Sequence, residues 1–106
     1  MTKIVTLLTI LLGLVQITPA QAEYPERAIT FIVPFSVGGG SDQTARALIP
    51  FLEKHLGNGA KIAVVNKPGA GGSVAYAEMA GTKPDGYTIG MVNLPDAVTG
   101  PMLNAN

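Results

Sequence analysis

The sequence predicts an α/β fold built on a parallel sheet, and three observations carry the prediction. Apolar, β-rich runs at residues 28–34, 61–66 and 87–92 alternate with two helical stretches. Each of the first two runs ends in a glycine loop that feeds a helix start. The first run lacks polar alternation, which suits a strand buried on both faces, as a parallel sheet requires. Strands and helices that alternate through short loops form βαβ units with right-handed crossovers.

Residues 1–22 read as an export signal that precedes this domain. Lys3 and the terminal amine supply a positive start, and residues 4–15 form an apolar run broken only by Thr6, Thr9 and Gly13. Ala20-Gln21-Ala22 then places small residues at the two positions a signal peptidase reads, with the cut before Glu23. A membrane span needs about 20 apolar residues, and Gln16 and Pro19 close this run early without a basic flank. No twin arginine precedes the run, so general secretion is the expected route.

The domain itself, residues 23–106, begins with a polar lead-in at residues 23–27. The first strand stops at Pro34 and Gly38-Gly39-Gly40, through which neither strand nor helix continues easily. Ser41 and Asp42 mark a helix start. Ala45, Leu48, Ile49, Leu52 and Leu56 recur at helical spacing as one apolar stripe. Pro50 lies inside this helix and withholds an amide from the carbonyl of Arg46, so a kink is expected rather than a stop. Gly57-Asn58-Gly59 ends the helix.

The unit repeats with a second strand, the loop Lys67-Pro68-Gly69-Ala70-Gly71-Gly72, and a short helix over residues 73–80 stopped by Gly81. Pro84-Asp85-Gly86 turns the chain into the third strand. Beyond Asn93 the pattern fades, because Pro95, Gly100 and Pro101 break any periodicity. Three strands and one covering helix would leave Phe31, Val33, Val65 and Ile89 as candidates for exposure.

Charge and composition exclude several classes. Removing Lys3 from seven basic residues leaves six against seven acidic ones, a net charge of −1 for the exported part. That balance, without a basic cluster, argues against nucleic acid and anionic membrane surfaces. With no cysteine there is neither lipoprotein processing nor a disulfide. One histidine and no cysteine leave no transition-metal site.

In an open α/β sheet, ligands sit beyond the carboxyl ends of the strands, where both glycine loops fall. Each loop feeds a helix N-terminus, whose free amides and dipole favour an anion. The hydroxyls of Ser36, Ser41 and Ser73 and the amide of Asn93 could add hydrogen bonds, giving a carboxylate- or phosphate-binding rim built mostly of backbone. Asp42 caps amides structurally or meets a ligand ammonium. Arg27 belongs to the opposite edge, and Arg46 reads as a surface residue. Gly69-Ala70-Gly71-Gly72-Ser73-Val74 fails as a dinucleotide fingerprint at its third position. Gly71-Gly72-Ser73-Val74-Ala75 imitates a nucleophile elbow, but His55 ends a helix that runs back to the far edge. Nothing in the pattern is catalytic.

These segments together resemble the extracytoplasmic solute receptors of tripartite tricarboxylate transporters, also called Bug receptors. The matching stretches are Tyr24-Pro25-Glu26-Arg27, Ile32-Val33-Pro34-Phe35, Gly38-Gly39-Gly40-Ser41-Asp42 and Ala45-Arg46. Leu56-Gly57, Val64-Val65-Asn66-Lys67-Pro68-Gly69-Ala70-Gly71-Gly72 and Lys83-Pro84-Asp85-Gly86-Tyr87-Thr88 follow in the same order. Val37 stands where Pro is common, Asn58-Gly59-Ala60 replaces a shorter link, and the segment after Asn93 departs from the family pattern. The resemblance implies a type II periplasmic-binding-protein lobe, with residues 23–106 as an incomplete N-terminal lobe of a longer, two-lobed receptor. It implies a periplasmic protein, without a cofactor, that holds a small carboxylated solute for the membrane components of the transporter. Carried over, the family's first loop implicates Phe35, Ser36, Gly39, Gly40, Ser41 and Asp42, with Gly71, Gly72 and Ser73 behind them. Two alternatives stay open: the N-terminal part of a secreted α/β enzyme, and a truncated remnant without function.

The export reading yields a direct test. Exported protein begins at Glu23, and Ala22→Arg leaves uncleaved precursor with the membranes. Intact mass spectrometry and N-terminal sequencing of the exported fraction check both outcomes.

Overall fold

The computed structural model describes residues 23–103; the expected signal peptide at residues 1–22 lies outside the described residues. Three strands form one sheet: β1 (Ile29–Val33), β2 (Ile62–Asn66) and β3 (Thr88–Gly90), in the order β2-β1-β3. Both pairings are parallel, with Phe31 opposite Val64 on one side and Ile89 on the other. Helix α1 (Gly40–Leu56) joins β1 to β2, and a 3-10 turn (Ala70–Gly72) with helix α2 (Ser73–Ala80) joins β2 to β3. A third helix, α3 (Asp96–Leu103), follows. The βαβαβ order is as the alternation predicts. No helix among the described residues is long and apolar enough to cross a membrane.

The core forms where the central strand meets its covering helices. Phe31, Val33 and Ala45 are buried together, with Leu52, Ile62, Val64, Ile89 and Met91 packed around them. Strand side chains alternate between faces, so Phe31 and Val33 turn to α1 while Ile32 turns the other way. Gly90 pairs with Ile32 in register, and a Cβ there would run into the sulfur of Met79 and reach within 3.0 Å of the Ile32 carbonyl. The missing side chain is what lets α2 lie against this second face. Phe31 and Val33 are therefore buried rather than exposed, since α1 and the two flanking strands suffice to cover them.

The start of α1, its buried stripe and the extent of β3 differ from the sequence expectation. Helix α1 starts at Gly40 with Gly39 as an N-cap that lacks a side-chain bond, so Ser41 and Asp42 lie in its first turn. Its stripe is narrower than expected: Ala45 and Ile49 are buried, whereas Leu48 and Leu56 are 44% and 38% exposed. As expected, Pro50 does not stop the helix; it is exposed, as is Arg46, whose carbonyl loses that amide. Strand β3 is shorter than residues 87–92 because its partner ends at Pro34, which has no amide to pair. The last ladder bond on that side runs from the Met91 amide to the Ile32 carbonyl at 2.9 Å.

Helix α3 forms despite its Gly100-Pro101 pair. Pro95 opens it, its carbonyl accepting the amides of Val98 at 2.8 Å and Thr99 at 2.9 Å.

At the amino ends of the strands, the lead-in closes onto the domain as a clasp. The Tyr24 hydroxyl donates to the Gly86 carbonyl at 2.6 Å, and the Tyr87 hydroxyl accepts the Glu26 amide at 2.9 Å. The two rings meet edge-on at 5.2 Å. Arg27 lies 3.9 Å above the Tyr87 ring and pairs with Asp85 at 3.3 Å, which places it at the far edge as expected. The Asn58 amide holds the carbonyls of Glu23 and Pro25 at 2.9 and 3.2 Å. At the same end, Glu53 accepts the Ile62 amide at 2.7 Å, fixing the end of α1 to the start of β2.

Ile32, 1% exposed in the centre of the sheet, offers a measure of this packing. Ile32→Ala lowers stability by about 2–5 kcal/mol through lost burial and a cavity. Val37→Ala, at a loop position 70% exposed, changes it by less than about 0.5 kcal/mol. Urea unfolding midpoints of the two variants check the contrast.

Candidate functional site

Three loops emerge at the carboxyl edge of the sheet: residues 34–39 after β1, 67–72 after β2 and 91–95 after β3. The first turns tightly, with Gly38 at φ +83°, a conformation L side chains avoid. The Gly39 amide bonds back to the Ser36 carbonyl at 3.2 Å. The first amide to bond inside α1 is that of Gln43, to the Gly39 carbonyl at 3.0 Å. The amides of Gly40, Ser41 and Asp42 precede it, and among the described residues they have no backbone acceptor. Three donors at the positive end of a seventeen-residue helix are thus left at the sheet edge.

Asp42 is 2% exposed and is the buried charge of this edge. Its carboxylate accepts the Gly38 amide at 2.8 Å, the Arg46 Nε at 3.0 Å to each oxygen, and the Asn66 amide at 3.0 Å. A carboxylate has about four lone-pair positions, and these bonds use them. Asn66 also donates to the Phe35 carbonyl at 3.0 Å and accepts from Arg46 Nη2 at 3.3 Å. The Arg46 guanidinium, with the Gly38 amide and Asn66 behind it, holds the Asp42 carboxyl at about 2, against a usual 3.8; burial opposes the shift and loses. Arg46, expected at the surface, is half-exposed yet bridges Asp42 to the end of β2.

The second loop wraps the start of α2. Gly72 caps this helix at φ +93°, and a Cβ there would press within 3.0 Å of the Tyr76 ring. Gly71 is exposed, Gly72 buried and Ser73 half-buried. The third loop ties the other two together. The Asn93 side chain donates to the Ser41 hydroxyl at 3.0 Å, and its backbone amide donates to the Tyr76 hydroxyl at 3.2 Å. A cleft of about 610 Å³ opens beside α2, lined by Ser73, Tyr76, Met79, Ala80, Val92 and Ala97, of which Ser73 alone belongs to the expected site.

The fold thus sets Phe35, Ser36, Gly39, Gly40, Ser41 and Asp42 on one loop and helix start, and Gly71, Gly72 and Ser73 on the neighbouring one, along a single edge. Asn66 and Tyr76 are structural partners that the sequence did not single out, and Arg46 is one that it assigned to the surface. Their signal was faint: Asn66 is an amide that ends an otherwise apolar strand, and Arg46 stands one helical turn after Asp42. His55 lies at the end of α1, its Nδ1 2.7 Å from the Phe51 carbonyl, so that nitrogen carries the proton and is engaged locally. Among the described residues, no group of three His, Cys, Asp or Glu side chains converges on a point that could hold a metal.

The depressed carboxyl gives a pH signature. A group whose folded pKa lies below its unfolded value stabilises the fold above the unfolded value, and that contribution is lost as pH falls through the folded one. The unfolding midpoint therefore declines as pH is lowered from about 3.8 to about 2. Asp42→Asn lowers the midpoint at neutral pH and removes that part of the acid decline, which urea titrations across the range check.

Comparison with known proteins places this architecture. Residues 44–106 match the family described as tripartite tricarboxylate transporter family receptor. A "UPF0065 protein in gbd 5'region" from Cupriavidus necator is 40% identical over 80 residues, covering 73% of this chain and 24% of the relative. The solved periplasmic binding protein BugD is 42% identical, with a TM-score of 0.59 over 63% of this chain and 22% of its own. R. palustris Rpa4515, solved with adipate, is 33% identical, with a TM-score of 0.60 over 65% and 22%. The chain thus spans about a quarter of the length of the curated relative. By the family match over more than half of its length, and by a fold similar to solved periplasmic binding proteins, the chain belongs to the tripartite tricarboxylate transporter receptors.

Proposed function

We propose that residues 23–106 form the opening portion of the first lobe of an extracytoplasmic solute-binding receptor. Its glycine rim holds one carboxylate of a small solute, which the receptor delivers to the membrane components of a tripartite transporter. The observation that carries this is the uncapped start of α1, where the amides of Gly40, Ser41 and Asp42 lack backbone acceptors beside an exposed glycine turn. Backbone amides at a helix N-terminus suit an acceptor-only anion. Phe35, Ser36, Gly39, Gly40 and Ser41 form the front of the rim, with Gly71, Gly72 and Ser73 behind it. Asp42 belongs to the site through the loop it holds, since its oxygens are already engaged.

Solved relatives support the class of ligand: one of them was determined with adipate, a dicarboxylate. The chemistry is binding rather than catalysis, in keeping with a family of receptors. Export to the periplasm through the cleavable segment before Glu23 completes the proposal, and the family's periplasmic members support it.

Enclosure by a second lobe is part of this function. Amides at a helix dipole contribute about 0.3–2 kcal/mol, whereas even millimolar binding needs about 4 kcal/mol. The test is therefore made with an opposing lobe present, in a chimera where residues 23–106 replace the matching segment of the adipate-bound relative. Titration calorimetry shows adipate binding by the chimera. Gly40→Val weakens it at least about tenfold, or 1.4 kcal/mol. Gly40 is the suitable position because its backbone is ordinary and a Cβ there meets nothing within 4 Å, so folding is spared. An affinity near that of the unsubstituted chimera removes the loop from the site.

A further inference from the structure

We infer that Asn66 is a positioning residue for the ligand rim: it turns the Phe35–Ser36 peptide so that the Ser36 amide faces outward, toward the solute carboxylate. The inference rests on the carboxylate reading of the rim and assigns it a residue that does not touch the ligand.

The geometry begins with an amide whose direction chemistry fixes. The Asn66 Nδ2 lies 3.0 Å from the Phe35 carbonyl and 3.0 Å from Asp42 Oδ1, two acceptors. Its Oδ1 lies 3.3 Å from the Arg46 guanidinium, a donor. Rotating the side-chain amide by half a turn would set oxygen against two oxygens and nitrogen against nitrogen, so only one orientation is stable. Asn66 is half-buried, and these bonds join it to the loop, the helix and its own strand end.

The consequence passes through the peptide plane. In a trans peptide the carbonyl and the following N–H point in opposite directions. Fixing the Phe35 carbonyl on Asn66 therefore fixes the Ser36 N–H away from it, at an exposed residue. That amide has no backbone acceptor among the described residues. Two residues on, Asp42 takes the Gly38 amide the other way, inward, at 2.8 Å. The loop is thus pinned at both ends, with one carbonyl and one amide drawn in and the amide between them presented. Asn66 is also the last residue of β2, and the next amide, that of Lys67, bonds the Val33 carbonyl at 2.8 Å. The anchor therefore stands on a strand end bonded into the sheet, and a presented donor needs such a fixed support.

The experiment reads amide NMR in the unsubstituted chain and in Asn66→Leu, which is close in size and has no donor, with adipate as the probe in the two-lobed chimera carrying either sequence. The Lys67 amide serves as the internal reference for the sheet. In the unsubstituted chain the Gly38 amide is protected from hydrogen exchange. In Asn66→Leu it exchanges about tenfold faster, as loss of one hydrogen bond predicts, while Lys67 is unchanged. In the two-lobed chimera, adipate shifts the Ser36 amide only when Asn66 is unsubstituted, whereas Gly40 and Ser41 shift with or without Asn66→Leu. Unprotected Gly38 in the unsubstituted chain, equal Gly38 rates in both proteins, or parallel acceleration of Gly38 and Lys67 overturns the inference. A Ser36 shift that survives in Asn66→Leu also overturns it. If adipate shifts no amide in the chimera, with or without the substitution, the carboxylate reading fails, and the exchange rates alone decide the anchor.

Discussion

Parallel pairing of β1 on both sides is the constraint from which the rest of this structure follows. A strand bonded to β2 on one flank and β3 on the other cannot lie at the surface, so its residues must be apolar on both faces, and Ile29–Val33 nearly are. Parallel neighbours also start at the same end and stop at the same end. Every connection out of a strand therefore begins at one edge, and that is where the glycine loops, the helix starts and Asn93 accumulate. The opposite edge receives the connections coming back, and it carries the aromatic clasp. The division between a rim that can bind and a rim that holds the chain together is a product of topology before any side chain is chosen.

Within the binding rim the local problem is electrostatic. A buried carboxylate beside the proposed anion site would repel such a ligand and carry a large desolvation cost if left alone. Asp42 avoids both consequences by lying between a guanidinium, a backbone amide and a side-chain amide. The charge is paired with Arg46 one helical turn away, and the residue is 2% exposed. In three dimensions Asp42 joins the glycine loop, α1 and the end of β2 in one network.

The architecture was legible because it is written in local signals. Apolar strands, glycine loops and the helical spacing of Ala45, Ile49 and Leu52 each determine their own neighbourhood, and parallel order follows from their alternation. The missed features depend on partners distant in sequence. Strand β3 ends early because Pro34 ends its partner, a fact invisible in Tyr87 to Val92 themselves. Helix α3 survives its Gly100-Pro101 pair, and propensity alone argues against it. Asn66 reads as an ordinary strand end until the fold brings it beneath Phe35, thirty-one residues earlier. The edge of the candidate site was therefore readable, and the network that stiffens it was not.

The clasp at the far rim also has an optical meaning. The chain contains three tyrosines and no tryptophan, so its near-ultraviolet signal is a tyrosine signal. Tyr24 and Tyr87 meet edge-to-face at the amino ends of the strands, with an arginine over one ring. Tyr76 stands at the other rim, its hydroxyl accepting the Asn93 amide. Strand β1 separates the two groups by roughly 16 Å, at about 3.3 Å per residue. The absorbing groups are thus sorted by rim: a pair that reports whether the lead-in is seated, and a single ring that reports on the loops. The same chain carries two sets of native chromophores at the two rims of its sheet, each sensitive to a different event.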